Sequence, residues 1–298
     1  MIIKSIFTAL TIFLLYAMCL VFFNTHSASQ NQNQDNLVKA QSYMFKKNVP
    51  ENVIVGTSLS CHIQADSLNE FYNLAFNGSS IYDGLEIVLK GSQSPKNVFI
   101  ESNLFLNNRT ESFYNQLFDF YPYYTSKYIQ ALRIENQPIG KLVNLTNSIG
   151  DNIVVKHNFF MKQLKEKLVL ELNLDKKNTE QKNKLFNKIV FDYTKSFSIL
   201  PTNRLLHEKL KEIELLVTTL KSKGVNVCFF EMPIHYKLMN TKRVLYLRNK
   251  LSTFFYKKVH FMDLDTSKYI TSDGVHLNYE ESKNYSHFYK QQVLKLHL

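Results

Sequence analysis

The chain has 298 residues, of which 45% are hydrophobic, so it can bury a substantial core and is not an intrinsically disordered protein. Its 36 basic and 25 acidic residues leave a formal net charge of +11, but no nucleic-acid-binding motif accompanies this charge, and we expect no nucleic-acid partner. Three cysteines are too few for a disulfide framework. We expect one large α/β domain, in which two buried thiols at Cys61 and Cys228 are favoured over a bridge between them.

The N-terminal segment is uncharged from Ser5 to Phe23, directly after Lys4. Its length is close to the roughly 20 apolar residues that span a bilayer. Because the stretch that follows has no Lys or Arg, the positive-inside rule places the N-terminus in the cytoplasm and the rest of the chain outside. We predict a transmembrane helix at residues 1–23, and a retained anchor is favoured over a cleaved signal peptide. A polar linker at residues 24–36 and a domain at residues 37–298 are predicted to follow.

Five apolar runs predict buried parallel strands, and helical patterns separate most of them. They are Val53–Val55, Phe71–Ala75, Val98–Ile100, Val225–Phe230 and His260–Leu264. This alternation predicts an α/β fold with a flavodoxin-like, doubly wound sheet of about five parallel strands.

Two helices have clear sequence signals. A run of leucines precedes the fourth strand, and Gly224 stands where a C-terminal cap belongs. The last helix is predicted to begin after Asn278, with Glu281 placed as in a capping box. The residues expected to face the core are Leu205, Leu206, Leu210, Ile213, Leu216, Leu220, Tyr285, Phe288, Val293 and Leu296.

A helical insert is predicted at about residues 104–200, because the chain between the third and fourth strands is far longer than one crossover needs. Its first part, Glu111 to Arg133, is dense in aromatic residues, for which packing is favoured over an aromatic wall for a sugar or an acyl chain. Its second part, Met161 to Lys195, has a lysine-rich helical pattern, for which a solvated helix face is favoured over a binding patch.

Reactive side chains follow several of the predicted strands. Ser58 follows the first strand, Gly78 the second and Asn103 the third, while Asp273 and His276 follow the fifth. Because the carboxyl ends of parallel strands meet at one edge of a sheet, we expect these residues to lie close together. The set contains what a serine nucleophile needs, namely an imidazole to remove the hydroxyl proton and a carboxylate to orient the imidazole.

Roles follow from this chemistry. We predict Ser58 as the nucleophile, His276 as the general base and Asp273 as the group that fixes the histidine tautomer. Backbone N–H groups of Ser58 and Gly78, with the side-chain amide of Asn103, would donate to the oxyanion. His235, after the fourth strand, is expected to be a pocket residue only. No Cys/His cluster has metal-ligand spacing and no glycine loop would hold a phosphate, so neither a metal nor a cofactor is predicted.

The four blocks around Ser58, Gly78, Asn103 and Asp273–His276 resemble, in their order, those of the SGNH/GDSL hydrolase superfamily. The resemblance covers the chain from about Asn52 onward, outside the insert, and implies the same five site residues. The anchored domain is also similar to the membrane-tethered branch that works on cell-envelope polymers. Two positions depart from the family pattern: Thr57 stands where Asp is usual, and Glu101 where Gly is usual. If Glu101 displaces Asn103, the oxyanion asparagine would be Asn107 or Asn108.

We therefore expect a serine esterase or acyltransferase that acts on O-acyl groups, with acetyl as the expected group, of an envelope polysaccharide. It would be a single-pass protein of the bacterial inner membrane, with its domain on the periplasmic or cell-surface side. Expected partners are an acylated glycan or small ester, the membrane through residues 5–23, and a membrane-bound acyl donor protein. The alternatives are a non-catalytic scaffold that holds a polymer or a membrane acyltransferase, and an envelope lipase or thioesterase.

Overall fold

Five parallel strands form one sheet in the computed structural model, which describes residues 2–22, 32–64, 71–91, 93–137 and 174–296. The strands are β1 Asn52–Gly56, β2 Phe71–Ala75, β3 Asn97–Glu101, β4 Asn226–Phe230 and β5 His260–Phe261. Their order in the sheet is β2-β1-β3-β4-β5, the order of flavodoxin-like folds. The predicted α/β sheet is confirmed, but β5 is shorter than predicted because only Cys228 and Phe229 of β4 pair with it.

Helices precede, connect and follow the strands. In chain order they are α1 Ile2–Phe22, α2 Gln32–Met44, α3 Ile81–Lys90, α4 Glu111–Phe118, α5 Phe120–Tyr128, α6 Leu174–Ser196, α7 Asn203–Ser222, α8 Tyr236–Met239, α9 Lys242–Phe254 and α10 Tyr279–Lys295. A 3-10 turn at Ser60–His62 follows β1, and two more lie at Gln130–Leu132 and Ile134–Asn136.

The chain divides into two compact units. One comprises Met1–Ser42 with Ser112–Asp175, and the other Tyr43–Glu111 with Lys176–Leu298. The sheet and all five predicted site residues belong to the second unit. Of the predicted linker, residues 32–36 begin α2, and the remainder, residues 24–31, lies outside the described residues.

The N-terminal segment predicted to cross a membrane forms α1. Among the described residues, no helix has the combination of length and hydropathy that a membrane crossing requires. The membrane assignment of residues 1–23 therefore stays a prediction.

The register of the sheet brings the carboxyl ends of its strands together. Gly56 pairs with Ala75, and Glu101 pairs with Phe230. The residues after β1, β2, β3 and β4 consequently leave the sheet at the same edge. The central strands β1, β3 and β4 are buried except at Asn52 and Asn226, because helices cover both faces of the sheet.

Both predicted helix ends are found. Gly224 has a φ of 79°, in the left-handed region, and its N–H donates to the carbonyl of Lys221. The side chain of Asn278 accepts a hydrogen bond from the N–H of Glu281 at 2.9 Å. The core-facing residues are confirmed for α7 except Leu205, which is exposed in the first turn of the helix.

In α10 the predicted Tyr285 is buried, and Phe288, Val293 and Leu296 pack partly buried against the same core. Tyr289, which was not predicted to face the core, is fully buried in it. Cys61 and Cys228 are free thiols, and burial raises the pKa of Cys228 to about 12. Cys61 is only half-buried, so the prediction of two buried thiols holds for Cys228 alone.

Within the predicted insert, residues 138–173 lie outside the described residues. The aromatic segment packs only in part: Phe113 is buried, whereas Phe120, Tyr121 and Tyr128 are exposed. In α6, by contrast, Lys182, Lys184 and Lys188 are exposed, as a solvated helix face requires.

Candidate active site

Ser58 lies in a tight turn directly after β1. The turn closes where the N–H of Cys61 donates to the carbonyl of Thr57 at 3.2 Å, and it continues into the 3-10 turn at Ser60–His62. Thr57, Leu59 and Ser60 are buried, whereas Ser58 itself is half-buried. The turn therefore presents one hydroxyl to the surface of the sheet edge and buries the residues around it.

Glu101, the last residue of β3, holds this turn through hydrogen bonds to its carboxylate. Its carboxylate accepts hydrogen bonds from the N–H of Thr57 at 2.9 Å, from the hydroxyl of Thr57 at 2.8 Å and from the hydroxyl of Ser60 at 2.6 Å. The side chain is completely buried. Burial raises the pKa of the Glu101 carboxyl, and the hydrogen bonds from Ser60 and Thr57 oppose that rise.

Gly56 makes room for this arrangement. A Cβ at position 56 would lie 1.8 Å from the Oγ of Ser60 and 2.8 Å from the Oε2 of Glu101. Glu101 and Asn103 have different partners, since Glu101 contacts the serine turn and Asn103 contacts Met232, and the alternative of Asn107 or Asn108 as the oxyanion asparagine stays open. Glu101 is thus a residue of the site whose part the sequence did not reveal.

Asp273 and His276 lie on a short loop that folds back on itself. Residues Thr271 and Leu277 form an antiparallel bridge, and the N–H of Ser272 donates to the carbonyl of His276 at 2.8 Å. Gly274 has a φ of 95°, which a residue with a side chain rarely adopts. The loop is also fixed from outside, since the N–H of His235 donates to the carbonyl of Gly274 at 2.8 Å.

The side chains of the three predicted triad residues form one hydrogen-bonded chain. The Nδ1 of His276 lies 2.7 Å from the Oδ2 of Asp273, and its Nε2 lies 2.8 Å from the Oγ of Ser58. A proton on Nδ1 donates to the carboxylate, and this tautomer leaves Nε2 as an acceptor for the serine hydroxyl. The arrangement has the hydrogen-bonded order of nucleophile, base and orienting acid that serine catalysis requires.

Asp273 is held in its charged form. Its Oδ1 accepts from the N–H groups of Val275 at 3.0 Å and His276 at 2.8 Å, while its Oδ2 faces the His276 ring. Partial burial acts to raise the Asp273 pKa, but the hydrogen bonds from His276 and Val275 outweigh it and lower the pKa. A carboxylate that stays ionised is suited to stabilise an imidazolium beside it.

Of the predicted oxyanion donors, Gly78 and Asn103 line two different pockets, both of which include Ser58. Gly78, with a φ of 70°, lines a polar depression of about 490 Å³ together with Ser58, Asn107 and Asn108. Asn103 lines a separate pocket beside Ser58 and His276. Its amide donates to the carbonyl of Met232 at 2.8 Å and accepts from the N–H of Met232 at 2.7 Å. One N–H of the Asn103 amide is left for a further acceptor.

His235 lies near the site but not in its line of hydrogen bonds. It is the N-cap of α8, where its Nδ1 accepts from the N–H of Lys237 at 3.4 Å, and its ring packs against Tyr236. Partial burial, with the charge of Lys237 adding to it, lowers the pKa of His235. Its backbone N–H contacts the loop of Asp273 and His276 through the carbonyl of Gly274.

A deep apolar pocket of about 500 Å³ begins beside Ser58 and His276. We call it the apolar pocket; its inner walls include Phe230, Ile234, Val244, Leu247, Leu251 and Met262. These residues come from β4, α9 and the segments after β4 and β5. Sequence reasoning missed this pocket, because its walls meet only through long-range packing.

In the part of the chain that the structure describes, no three His, Cys, Asp or Glu side chains are placed to hold a metal ion.

Comparison of the sequence with protein-family models finds no match, and no curated protein matches the chain. The geometry of the site itself therefore carries the functional argument.

Proposed function

We propose that this protein is a serine-dependent ester hydrolase or acyltransferase of the SGNH type. The observation that carries the proposal is the continuous hydrogen-bonded line from Ser58 through His276 to Asp273, at 2.8 and 2.7 Å. These residues come from opposite ends of the domain, and packing for stability alone does not require their side chains to align. The position of the half-buried Ser58 in the lining of both pockets at the edge of the sheet supports the same proposal.

The reaction would proceed in two halves. Ser58 Oγ attacks the carbonyl carbon of the ester while its proton passes to the Nε2 of His276. The tetrahedral oxyanion is stabilised by N–H donors, for which the backbone of Ser58 and Gly78 and the amide of Asn103 are proposed. Its collapse breaks the bond to the leaving oxygen, which takes the proton back from His276 and departs as an alcohol.

The acyl group then leaves the enzyme. Water or a hydroxyl of an acceptor gives its proton to His276 and attacks the acyl-serine, and Ser58 recovers the proton as the product departs. Hydrolysis and transfer differ only in this attacking group. Within the proposal the acceptor or acylated substrate is an envelope polysaccharide, supported by the similarity of an N-terminal anchor on such a domain to the membrane-tethered branch that works on cell-envelope polymers.

The proposal includes attachment to the bacterial inner membrane, with the catalytic domain on its outer side. It is supported by the uncharged run after Lys4 and by large apolar side chains of α1 that are between 54% and 77% exposed. These are Ile2, Ile3, Ile6, Phe7, Leu10, Ile12, Leu14, Leu15 and Met18. A carbonate wash of membranes tests this point: retention of the wild type and release of a Leu10→Lys, Leu14→Lys variant are expected, and release of both would contradict it.

Labelling with a fluorophosphonate probe tests the chemistry, because only an activated serine reacts with it. The full-length wild type should be labelled at Ser58 and should turn over p-nitrophenyl esters. Ser58→Ala and His276→Ala should lose both properties. Ser222→Ala, which removes an exposed serine at the end of α7, is the matched control and should behave as the wild type.

The rival function is a non-catalytic scaffold. It is favoured by the Asn103 amide, which is already bonded to the backbone of Met232 on both its oxygen and its nitrogen. An unlabelled wild type without turnover on any ester would overturn the enzyme proposal and support the scaffold.

A further inference from the structure

The apolar pocket includes two residues of the candidate site in its lining. Ser58 and His276 form part of its lining, together with Val275 from the triad loop. Phe229, Leu251 and Phe261 line it as well, and in the sequence they are far from the triad. An acyl group attached to Ser58 Oγ would therefore have this pocket beside it.

The polar groups in the lining of the pocket have partners within the protein. Arg248 donates to both oxygens of Glu231, at 2.7 and 2.6 Å, and the hydroxyl of Ser102 donates to the carbonyl of Phe230 at 2.9 Å. Asn103 is bonded to the Met232 backbone. Because these groups already hold partners within the protein and most of the remaining walls are aliphatic or aromatic, the pocket favours an apolar occupant over a sugar.

The volume of the pocket indicates the size of that occupant. Since a dry cavity of about 150 Å³ accommodates one benzene ring, the volume of about 500 Å³ suits a chain longer than six carbons. An acetyl group has only one carbon beyond its carbonyl and would leave most of the pocket unfilled. Methylene groups that fill the pocket would be removed from water, and this burial would stabilise the acyl-enzyme and the transition state that leads to it.

We infer that the apolar pocket binds the acyl chain of the substrate, and that this chain is a medium-length fatty acyl group of roughly eight to twelve carbons rather than acetyl. The inference rests on the proposed function for the reaction at Ser58, and it replaces the acetyl group expected from the sequence. The acyl part would enter the pocket, and the alcohol part would face the polar depression lined by Gly78, Asn107 and Asn108.

The chain-length dependence of kcat/KM tests the inference. The full-length protein, in a steroid detergent that offers no free alkyl chain, is assayed with p-nitrophenyl esters from acetate to myristate. Each added methylene is expected to raise kcat/KM by roughly four-fold until the pocket is full. A maximum at eight to twelve carbons supports the inference, and a maximum at acetate or a flat profile overturns it.

A pair of neighbouring substitutions on α9 localises the effect. Val244 lines the pocket, whereas Leu245 is 46% exposed on the same helix. Val244→Phe should lower the ratio of kcat/KM on the decanoate ester to kcat/KM on the acetate ester at least ten-fold, and an unchanged thermal midpoint shows that the variant folds. Leu245→Phe should match the wild type on both. An equal loss on both esters in Val244→Phe, with an unchanged thermal midpoint, would overturn the assignment.

A binding measurement shows whether the acyl-chain pocket or the proposed catalytic function is wrong, because it does not depend on catalysis. Displacement of a fluorescent fatty acid by decanoate needs no catalysis, and it can be measured on Ser58→Ala. Displacement by decanoate but not by acetate, weakened in Val244→Phe, supports the pocket even if Ser58 is never labelled by a fluorophosphonate. Labelling of Ser58 without any decanoate binding would instead leave the enzyme proposal standing and overturn the acyl pocket.

Discussion

The carboxylate of Glu101 accepts hydrogen bonds from both the N–H and the hydroxyl of Thr57, at 2.9 and 2.8 Å. Thr57 directly precedes Ser58, so the end of β3 fixes the turn that carries the proposed nucleophile. The same carboxylate accepts a third hydrogen bond from Ser60, on the other side of Ser58. Glu101 thereby holds the turn that carries Ser58, and in the proposed mechanism it would be a positioning residue.

Replacing Glu101 should change the pH dependence of stability. Because its pKa is raised in the folded state, the folded protein binds more protons than the unfolded chain does. Its contribution to the free energy of unfolding is therefore greatest below the ordinary glutamate pKa of about 4.3 and is lost as the pH rises through the raised value. Glu101→Gln, which resembles the protonated form, should lose less stability between pH 5 and pH 8 than the wild type.

Urea unfolding at both pH values measures this difference. Glu101→Ala is the harsher change, since it leaves the buried donors of Thr57 and Ser60 without an acceptor, and it should cost about 1–3 kcal/mol for each such donor. Equal pH slopes for the wild type and Glu101→Gln would show that the carboxyl titrates alike in the folded and unfolded states.

Asp273 should contribute to turnover by fixing which nitrogen of His276 carries the proton. Asp273→Asn is expected to keep the loop in place but to lower kcat about 10⁴-fold, because the amide favours the wrong proton position on His276. The double variant Ser58→Ala, His276→Ala should be no slower than either single variant, since the residues act as one unit. Steady-state kinetics on a p-nitrophenyl ester measures both effects. Asp263→Asn, an exposed acid outside the loop, serves as the control, and an equal loss there would refute the assignment.

The oxyanion asparagine can be identified by comparing three substitutions. Asn103→Ala should lower kcat by about 10²–10³-fold, the usual cost of one such donor. Asn107→Ala and Asn108→Ala should stay within a few-fold of the wild type. Because Asn103 also bonds to Met232, kcat is compared well below the thermal midpoint of each variant. A large loss at Asn107 or Asn108, with none at Asn103, would transfer the role to the polar depression.

Gly56 should not tolerate even one methyl group. In Gly56→Ala the new Cβ would lie 1.8 Å from the Oγ of Ser60 and 2.8 Å from the Oε2 of Glu101, and both side chains are buried and hydrogen-bonded. We expect a loss of about 1–3 kcal/mol, read as a lower thermal midpoint, with reduced turnover. Gly91→Ala is the matched control, since its Cβ would meet nothing closer than 3.4 Å. Equal thermal midpoints for the two variants would show that the serine turn can shift to accommodate the added methyl group.

The sequence was sufficient to predict most of the sheet and the line of the triad. Apolar runs bounded by polar residues mark fully buried strands, and the chemistry of Ser58, Asp273 and His276 indicated their shared edge. The short β5 was overestimated at His260–Leu264, because apolar character continues after pairing with β4 has ended. Local patterns report burial, whereas the length of an edge strand depends on its single neighbour.

Features made by long-range packing were not predictable in the same way. A glutamate after an apolar run looks like an exposed strand end, and only the position of β1 beside β3 shows that Glu101 lies buried under the serine turn. The walls of the apolar pocket likewise come from segments with no common pattern in the sequence. Asn103 was placed beside Ser58 correctly, but its bonds to Met232 depend on the crossing of the chain after β4.

The hydrogen bond between Ser58 and His276 joins residues 218 positions apart. During synthesis the serine turn and its glutamate support are complete long before the ribosome has made the loop that carries the histidine. Every nascent or truncated chain that lacks the last stretch thus bears an inert hydroxyl. Within the proposed mechanism, chemical competence is acquired only with the final segment of the chain, so an unfinished copy lacks both the base and the orienting acid that Ser58 would need.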